Sequence, residues 1–136
     1  MKTQRYLDLL TCDIVGCAIE VHKELGPGLL EKVYERCFVR ELQTKKLRVE
    51  YQQSFPIMYK NEMIDCDLRY DVLVEDLIIV ELKSVEKMLP LFDAQLLTYM
   101  KLLKKPKGIL INFNVSNIFK EGQRTFVNEY FSQLPK

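Results

Sequence analysis

Leu7, Leu10, Ile14, Cys17, Ala18, Val21 and Leu25 recur at spacings of three and four, the apolar stripe of an amphipathic helix over about residues 6–24. Gly26-Pro27-Gly28 closes it. A second stripe follows at once through Leu30, Val33, Tyr34, Cys37, Phe38 and Leu42, and fades near Lys45-Lys46. From Leu47 the texture turns to β-branched and aromatic residues. Leu47–Phe55, Pro56–Lys60, Met63–Val74 and Leu77–Lys83 read as three or four strands, with Asn61-Glu62 as a turn. Leu77-Ile78-Ile79-Val80 is apolar on both faces, which suits a central strand covered on both sides. Pro90 opens another helical pattern through Leu91, Ala94, Leu97, Met100 and Leu103 to Lys105, and Gly108–Phe113 reads as a buried strand. The tail from Glu121 to Phe131 fits either a short strand or a last helical turn. This order of elements predicts an α/β fold in which helices flank one mixed sheet.

The composition bounds what such a chain can be. With 136 residues, 48% of them hydrophobic, it can close a core without disulfides or a structural metal, and no linker or repeat divides it, so one domain over 1–136 is expected. A formal charge of +1 excludes a nonspecific polycation. Cys12, Cys17, Cys37 and Cys66 form no C-x-x-C pair and His22 is the only histidine, so neither a zinc site nor a redox role is expected. Asp8 and Asp13 interrupt the N-terminal segment, and no apolar run reaches membrane-spanning length. A reducing cytoplasm and no membrane partner are therefore expected.

The near-neutral total conceals segregation. From Glu62 to Glu81 there are seven acids (Glu62, Asp65, Asp67, Asp71, Glu75, Asp76 and Glu81) against Arg69 alone, while residues 84–136 carry eight basic residues and four acidic. Carboxylates beside apolar strand residues resist burial unless protonated, paired or met by a cation, and a hard divalent metal is one such cation. Glu62, Glu75 and Asp76 fit exposed turns. Asp71 and Glu81 do not: Glu81 ends an apolar strand, and the period of two puts Lys83 on its face. Two carboxylates and an ammonium so placed can bind a metal and position a water beside it.

The hairpin makes this testable. Asp71 and Glu81 share a face only if Val74 stands opposite Ile78, leaving Glu75-Asp76-Leu77 as a three-residue connection or a bulge. A flush two-residue turn would send Glu81 to the other side. Glu31, in the first turn of the second helix, falls within about 20° of Phe38 and Leu42 at about 100° per residue, so it leans toward the apolar side. It is either a further site carboxylate or an acid favoured there by the helix dipole.

Gly28-Leu29-Leu30-Glu31-Lys32-Val33-Tyr34 resembles the motif of the GxxExxY proteins, small prokaryotic proteins placed in the PD-(D/E)XK nuclease superfamily. The resemblance continues through Arg69–Asp76, Ile79–Lys83, Ala94–Tyr99 and Leu110–Val115. It implies a restriction-endonuclease-like core of a mixed sheet flanked by helices. Asp71, Glu81 and Lys83 then stand in the catalytic positions and Glu31 is the helical acid. Tyr70 stands where the superfamily's first motif has proline. By resemblance, Asp71, Glu81 and the Leu82 carbonyl would hold one or two Mg²⁺ (or Mn²⁺), Lys83 would orient or help deprotonate the attacking water, and Glu31 would assist. Gln95 and Tyr99, four apart on one helix face, would position substrate or support Lys83, or simply be polar residues on a helix rim. Lys101, Lys104, Lys105 and Lys107 are candidates to contact phosphates, although lysines also suit helix C-termini.

The implied activity is Mg²⁺-dependent hydrolysis of phosphodiester bonds in DNA. Its alternative is a nucleic-acid- or protein-binding accessory protein that kept the nuclease fold without cleaving. A homodimer would enlarge the surface available to a duplex.

Overall fold

The computed structural model describes residues 2–136. Two helices open the chain, α1 (Gln4–Leu25) and α2 (Glu31–Thr44). The strands that follow are β1 (Val49–Tyr51), β2 (Ser54–Tyr59), β3 (Glu62–Arg69), β4 (Val72–Val74) and β5 (Ile78–Lys83). Helix α3 (Pro90–Leu103) crosses over to β6 (Lys107–Asn112), and a single π-helical turn over Ile118–Gly122 leads to β7 (Gln123–Val127) and α4 (Glu129–Ser132). The ambiguous tail thus contains both a strand and a short helix.

The main sheet has the order β1-β4-β5-β6-β7, parallel only between β5 and β6. As its two-sided apolar run requires, β5 lies at the centre: Ile78, Ile79, Val80 and Leu82 are all fully buried. The fold class is as expected, a mixed α/β architecture with helices on both faces of the sheet.

One expectation is corrected. The stretches Leu47–Phe55 and Met63–Val74 are each broken in two, and β2 and β3 leave the main sheet as a separate antiparallel hairpin. The first break falls at Gln52, whose φ of 52° is incompatible with an extended strand, and the second at Tyr70-Asp71. Pro56 has no N–H to offer a ladder, and the hairpin register shifts across it, between Phe55 and Ile57.

Alternation along β5 divides the core. Ile78, Val80 and Leu82 pack with Leu7, Ile14, Tyr34 and Phe38 of α1 and α2. Ile79 packs on the opposite face with Leu73, Leu96, Tyr99 and Met100, beneath α3 and the hairpin. Burial of each such aliphatic side chain contributes about 1.5–3 kcal/mol. Close approach of α3 depends on Gly108, where a Cβ would meet Met100 Sδ at 2.6 Å and Leu96 Cδ1 at 2.9 Å. Glu81 and Lys83 belong to the α3 face of the sheet by the same alternation.

Candidate functional site

The turn between β4 and β5 sets the site. Val74 pairs with Ile78, Leu73 with Ile79 and Val72 with Val80, so Asp71 stands opposite Glu81 at the end of the ladder. Glu75 and Asp76 both take left-handed backbone (φ 53° and 57°), and the Leu77 N–H closes on Val74 O at 3.0 Å. Leu77 is the additional residue of the three-residue connection that the sequence required, and it keeps both carboxyls on one face.

The two acids hold each other through the backbone. The Asp71 N–H donates to Glu81 Oε2 at 2.8 Å, and the Leu82 N–H donates to Asp71 Oδ2 at 2.8 Å. Glu81 is only 6% exposed. Burial first, and then the Asp71 charge, push its carboxyl up to about 8. Burial also raises Asp71, against the lowering effect of its bond from Leu82 and of the Lys83 charge. The Lys83 charge favours ionisation of Asp71, Glu81 and Glu31 alike.

Glu31 reaches this centre from α2. Gly28 has a φ of 99°, which a side chain would strain, and the Tyr34 hydroxyl donates to Gly26 O at 2.5 Å while accepting from the Leu29 N–H at 3.1 Å. Fully buried and stacked on Phe113 at 4.5 Å, Tyr34 is the clasp of this loop. Ser84 Oγ donates to Leu29 O at 2.6 Å and ties the loop to the chain just beyond β5. The glycine, glutamate and tyrosine of the motif are thus two loop-forming residues around one carboxyl. Burial raises Glu31, and Asp71 is the next cause, so its carboxyl lies within electrostatic reach of the pair.

Two residues were not anticipated. Glu35, one helical turn after Glu31 and 8% exposed, accepts from Gln52 Nε2 at 2.6 Å. The same amide lies 3.3 Å from Asp71 Oδ1, and the Gln52 N–H donates to Asp71 O at 2.9 Å. The left-handed Gln52 therefore spans Glu35 and Asp71. Burial raises the Glu35 carboxyl, opposed by its bond from Gln52. The i,i+4 spacing of Glu31 and Glu35 was the available signal.

On the other side of the centre, Lys83 Nζ lies 4.3 Å from the ring centroid of Phe92 on α3, a cation–π contact. Gln95, one turn further along α3, is exposed and donates from Nε2 to the Tyr99 hydroxyl at 3.1 Å. Tyr99 itself is 7% exposed and packs edge-on against Phe55, which makes it a core residue with a polar tip. The four lysines lie elsewhere. Lys107 pairs with Ile78 at the start of β5, whereas Lys83, at the other end of the strand, pairs with Asn112. The Lys107 ammonium is buried and bound to Asp8 Oδ1 at 2.9 Å, and Lys105 is bound to Asp76 Oδ1 at 2.8 Å. Lys101 and Lys104 are exposed at the C-terminal end of α3, where they complement the helix dipole.

The donor set has the chemistry of a hard-cation site, since a buried Glu81 and a half-buried Asp71 lie close together and short of compensating charge. The strand geometry that turns the Leu82 N–H toward Asp71 turns its carbonyl to the same side. As they stand, however, no three of the His, Cys, Asp and Glu side chains among the described residues converge on one metal position. Asp71 Oδ2 and Glu81 Oε2 each accept from a backbone N–H, which leaves the second oxygen of each carboxylate and the remaining lone pairs as the available donors to a cation.

A mixed five-stranded sheet flanked by helices, with a buried Glu81 on its central strand β5 and a half-buried Asp71 facing it from the start of β4, has the architecture of a restriction-endonuclease-like fold. Residues 8–125 match the family model of the PD-(D/E)XK nuclease superfamily, and the chain belongs to that superfamily. No curated protein and no solved structure matches it. No helix among the described residues is long and apolar enough to cross a membrane.

Proposed function

We propose that the protein is a Mg²⁺- or Mn²⁺-dependent nuclease of the GxxExxY type that hydrolyses phosphodiester bonds in DNA. The observation that carries this reading is the facing Asp71–Glu81 pair, two carboxylates each held by a backbone N–H of the opposite strand, with one lysine charge acting on both.

Asp71, Glu81 and the Leu82 carbonyl would hold the cation, with Glu31 and its neighbour Glu35 at the helical side. Bound there, a divalent metal would lower the pKa of a water and stabilise charge on the phosphate. Lys83, held over Phe92, orients that water and supplies positive charge where the leaving oxygen develops negative charge. Gln95 stands on the rim beside Phe92 to position substrate. Four unpaired cysteines suit a reducing cytoplasm, and a second copy of the chain would extend the surface facing a duplex.

The lack of three converging acidic, histidine or cysteine side chains among the described residues favours a second reading, an accessory protein that kept the fold and binds without cutting. Incubation of labelled DNA and RNA with Mg²⁺ or Mn²⁺ separates the two. Cleavage of DNA by the wild type and its loss in Glu81→Ala are expected; no cleavage by contaminant-free wild type would leave the accessory reading.

A further inference from the structure

Besides Lys83, the acid cluster has cationic neighbours on α2, where Lys32 and Arg36 act on Glu35, rather than in the lysine group after α3. Lys32, Arg36 and Arg40 are spaced four apart, so they form one stripe that climbs about 6 Å per step away from Glu31. All three are exposed, and among the described residues none has a carboxylate within salt-bridge distance, although seven acids lie on α1 and α2 together. Lys32 and Arg36 act electrostatically on Glu35, which places the lower end of the stripe beside the site.

The stripe borders a cleft of about 360 Å³ lined by Glu35, Arg36, Val39, Arg40, Gln43 and Tyr51. Tyr51 ends the edge strand β1. It shares a face with Val49, which packs against the α1/α2 core, so its ring is on the α2 side of the sheet. That ring is 47% exposed and lines the cleft with the arginines. Adjacent in the chain is Gln52, bonded to both Glu35 and Asp71. Unpaired guanidiniums and an exposed aromatic ring lining one cleft, with Glu35 among its lining residues and joined through Gln52 to Asp71, are the parts of a single-strand track. The cations follow phosphates, while the ring offers a stacking surface to any base. A duplex keeps its bases stacked inside, so it could use the arginines but not Tyr51.

We infer that the α2–β1 cleft binds a single strand of nucleic acid, with Lys32, Arg36 and Arg40 on its phosphates and Tyr51 stacked on a base, and leads that strand toward Asp71 and Glu81. The inference names the substrate form for the nuclease reading and rests on that reading only for its direction of travel.

Fluorescence anisotropy with a labelled 20-nucleotide oligo-dT and with a 20-bp duplex, both in EDTA, tests it without any need for cleavage. The wild type is expected to bind the single strand at least fivefold more tightly. Arg36→Gln/Arg40→Gln should weaken that binding at least tenfold and flatten its log–log salt slope by about 1.4, two contacts at about 0.7 each. Tyr51→Leu should weaken single-strand binding at least fivefold and leave duplex binding within twofold. Circular dichroism checks that these exposed substitutions retain the fold. No single-strand binding, equal affinity for the duplex, or a greater loss in Lys101→Gln/Lys104→Gln than in the arginine pair overturns the inference. Cleavage by a wild type whose arginine pair is dispensable would overturn the track and spare the nuclease; single-strand binding through the arginines without cleavage would do the reverse.

Discussion

Asp71 and Glu81 are joined twice across the β4–β5 ladder, through the Asp71 N–H to Glu81 Oε2 and through Asp71 Oδ2 to the N–H of Leu82, the residue after Glu81. The reciprocal arrangement satisfies both backbone donors beyond the last paired residues and leaves a half-buried carboxyl facing a buried one. It links the fold to the chemistry, because the same burial that closes the core sets the charge state of the site.

Stability of the metal-free protein should fall as pH rises. The Glu81 carboxyl ionises near 4.5 when exposed and near about 8 when folded. The folded state therefore holds more protons between those values. The stabilisation is complete below the lower value and lost as pH passes through the upper one. In EDTA the melting temperature should drop by roughly 7–14 °C between pH 5 and pH 8.5. Glu81→Gln, which keeps an acceptor for the Asp71 N–H without a charge, should flatten most of that slope. An unchanged slope in the variant would show that the proton resides elsewhere.

Divalent metal should reverse the effect. At pH 8, Mn²⁺ at about a hundredfold its dissociation constant contributes about 2.7 kcal/mol, or roughly 5–10 °C in melting temperature. Asp71→Asn should abolish the shift. A gain of the same size in the variant would place the metal at another site.

The Tyr34 clasp can be tested apart from the acids. Tyr34→Phe removes the bonds to Gly26 O and from the Leu29 N–H while keeping the stack on Phe113. The expected cost is about 1–3 kcal/mol in urea unfolding. Because the loop carries Glu31, catalytic activity should fall further than the loss of folded protein accounts for. A fall in activity no greater than that loss would make the clasp purely structural.

Lys107 separates a buried ion pair from a surface lysine. Its side chain is 7% exposed and Asp8 is its partner. Asp8→Ala should destabilise by about 1–3 kcal/mol because the ammonium is left unpaired, whereas Lys107→Met should stay within about 1 kcal/mol. Neither change should alter nucleic-acid binding. A loss of binding in Lys107→Met would return the residue to the interface.

These residues also mark what the sequence could and could not convey. The Asp71–Glu81 register was legible because strand periodicity and one loop length determine it, and Val74 opposite Ile78 is the pairing required. The central place of β5 was legible because Ile78, Ile79 and Val80 leave it no polar face. Glu35 gains its role only when the break after β1 brings Gln52, 17 residues further along the chain, against it and beside Asp71. Lys107 reads as one of a run of surface lysines, but at the start of β6 its ammonium meets Asp8 of α1 and the Phe131 ring of α4. The hairpin's departure from the main sheet depends on Gln52 adopting φ 52°, which its residue type did not suggest.

The central claim is that Asp71, Glu81 and Lys83 form a metal-dependent phosphodiesterase centre. Its most direct test compares wild type, Glu81→Gln and Lys83→Met for cleavage of labelled single-stranded DNA in Mg²⁺ and for calorimetric Mn²⁺ binding on the same preparations. Wild type should do both, Lys83→Met should bind Mn²⁺ but cleave at least about a hundredfold more slowly, and Glu81→Gln should lose both functions. Equal cleavage by all three proteins, or Mn²⁺ binding unaffected by Glu81→Gln, would contradict the account.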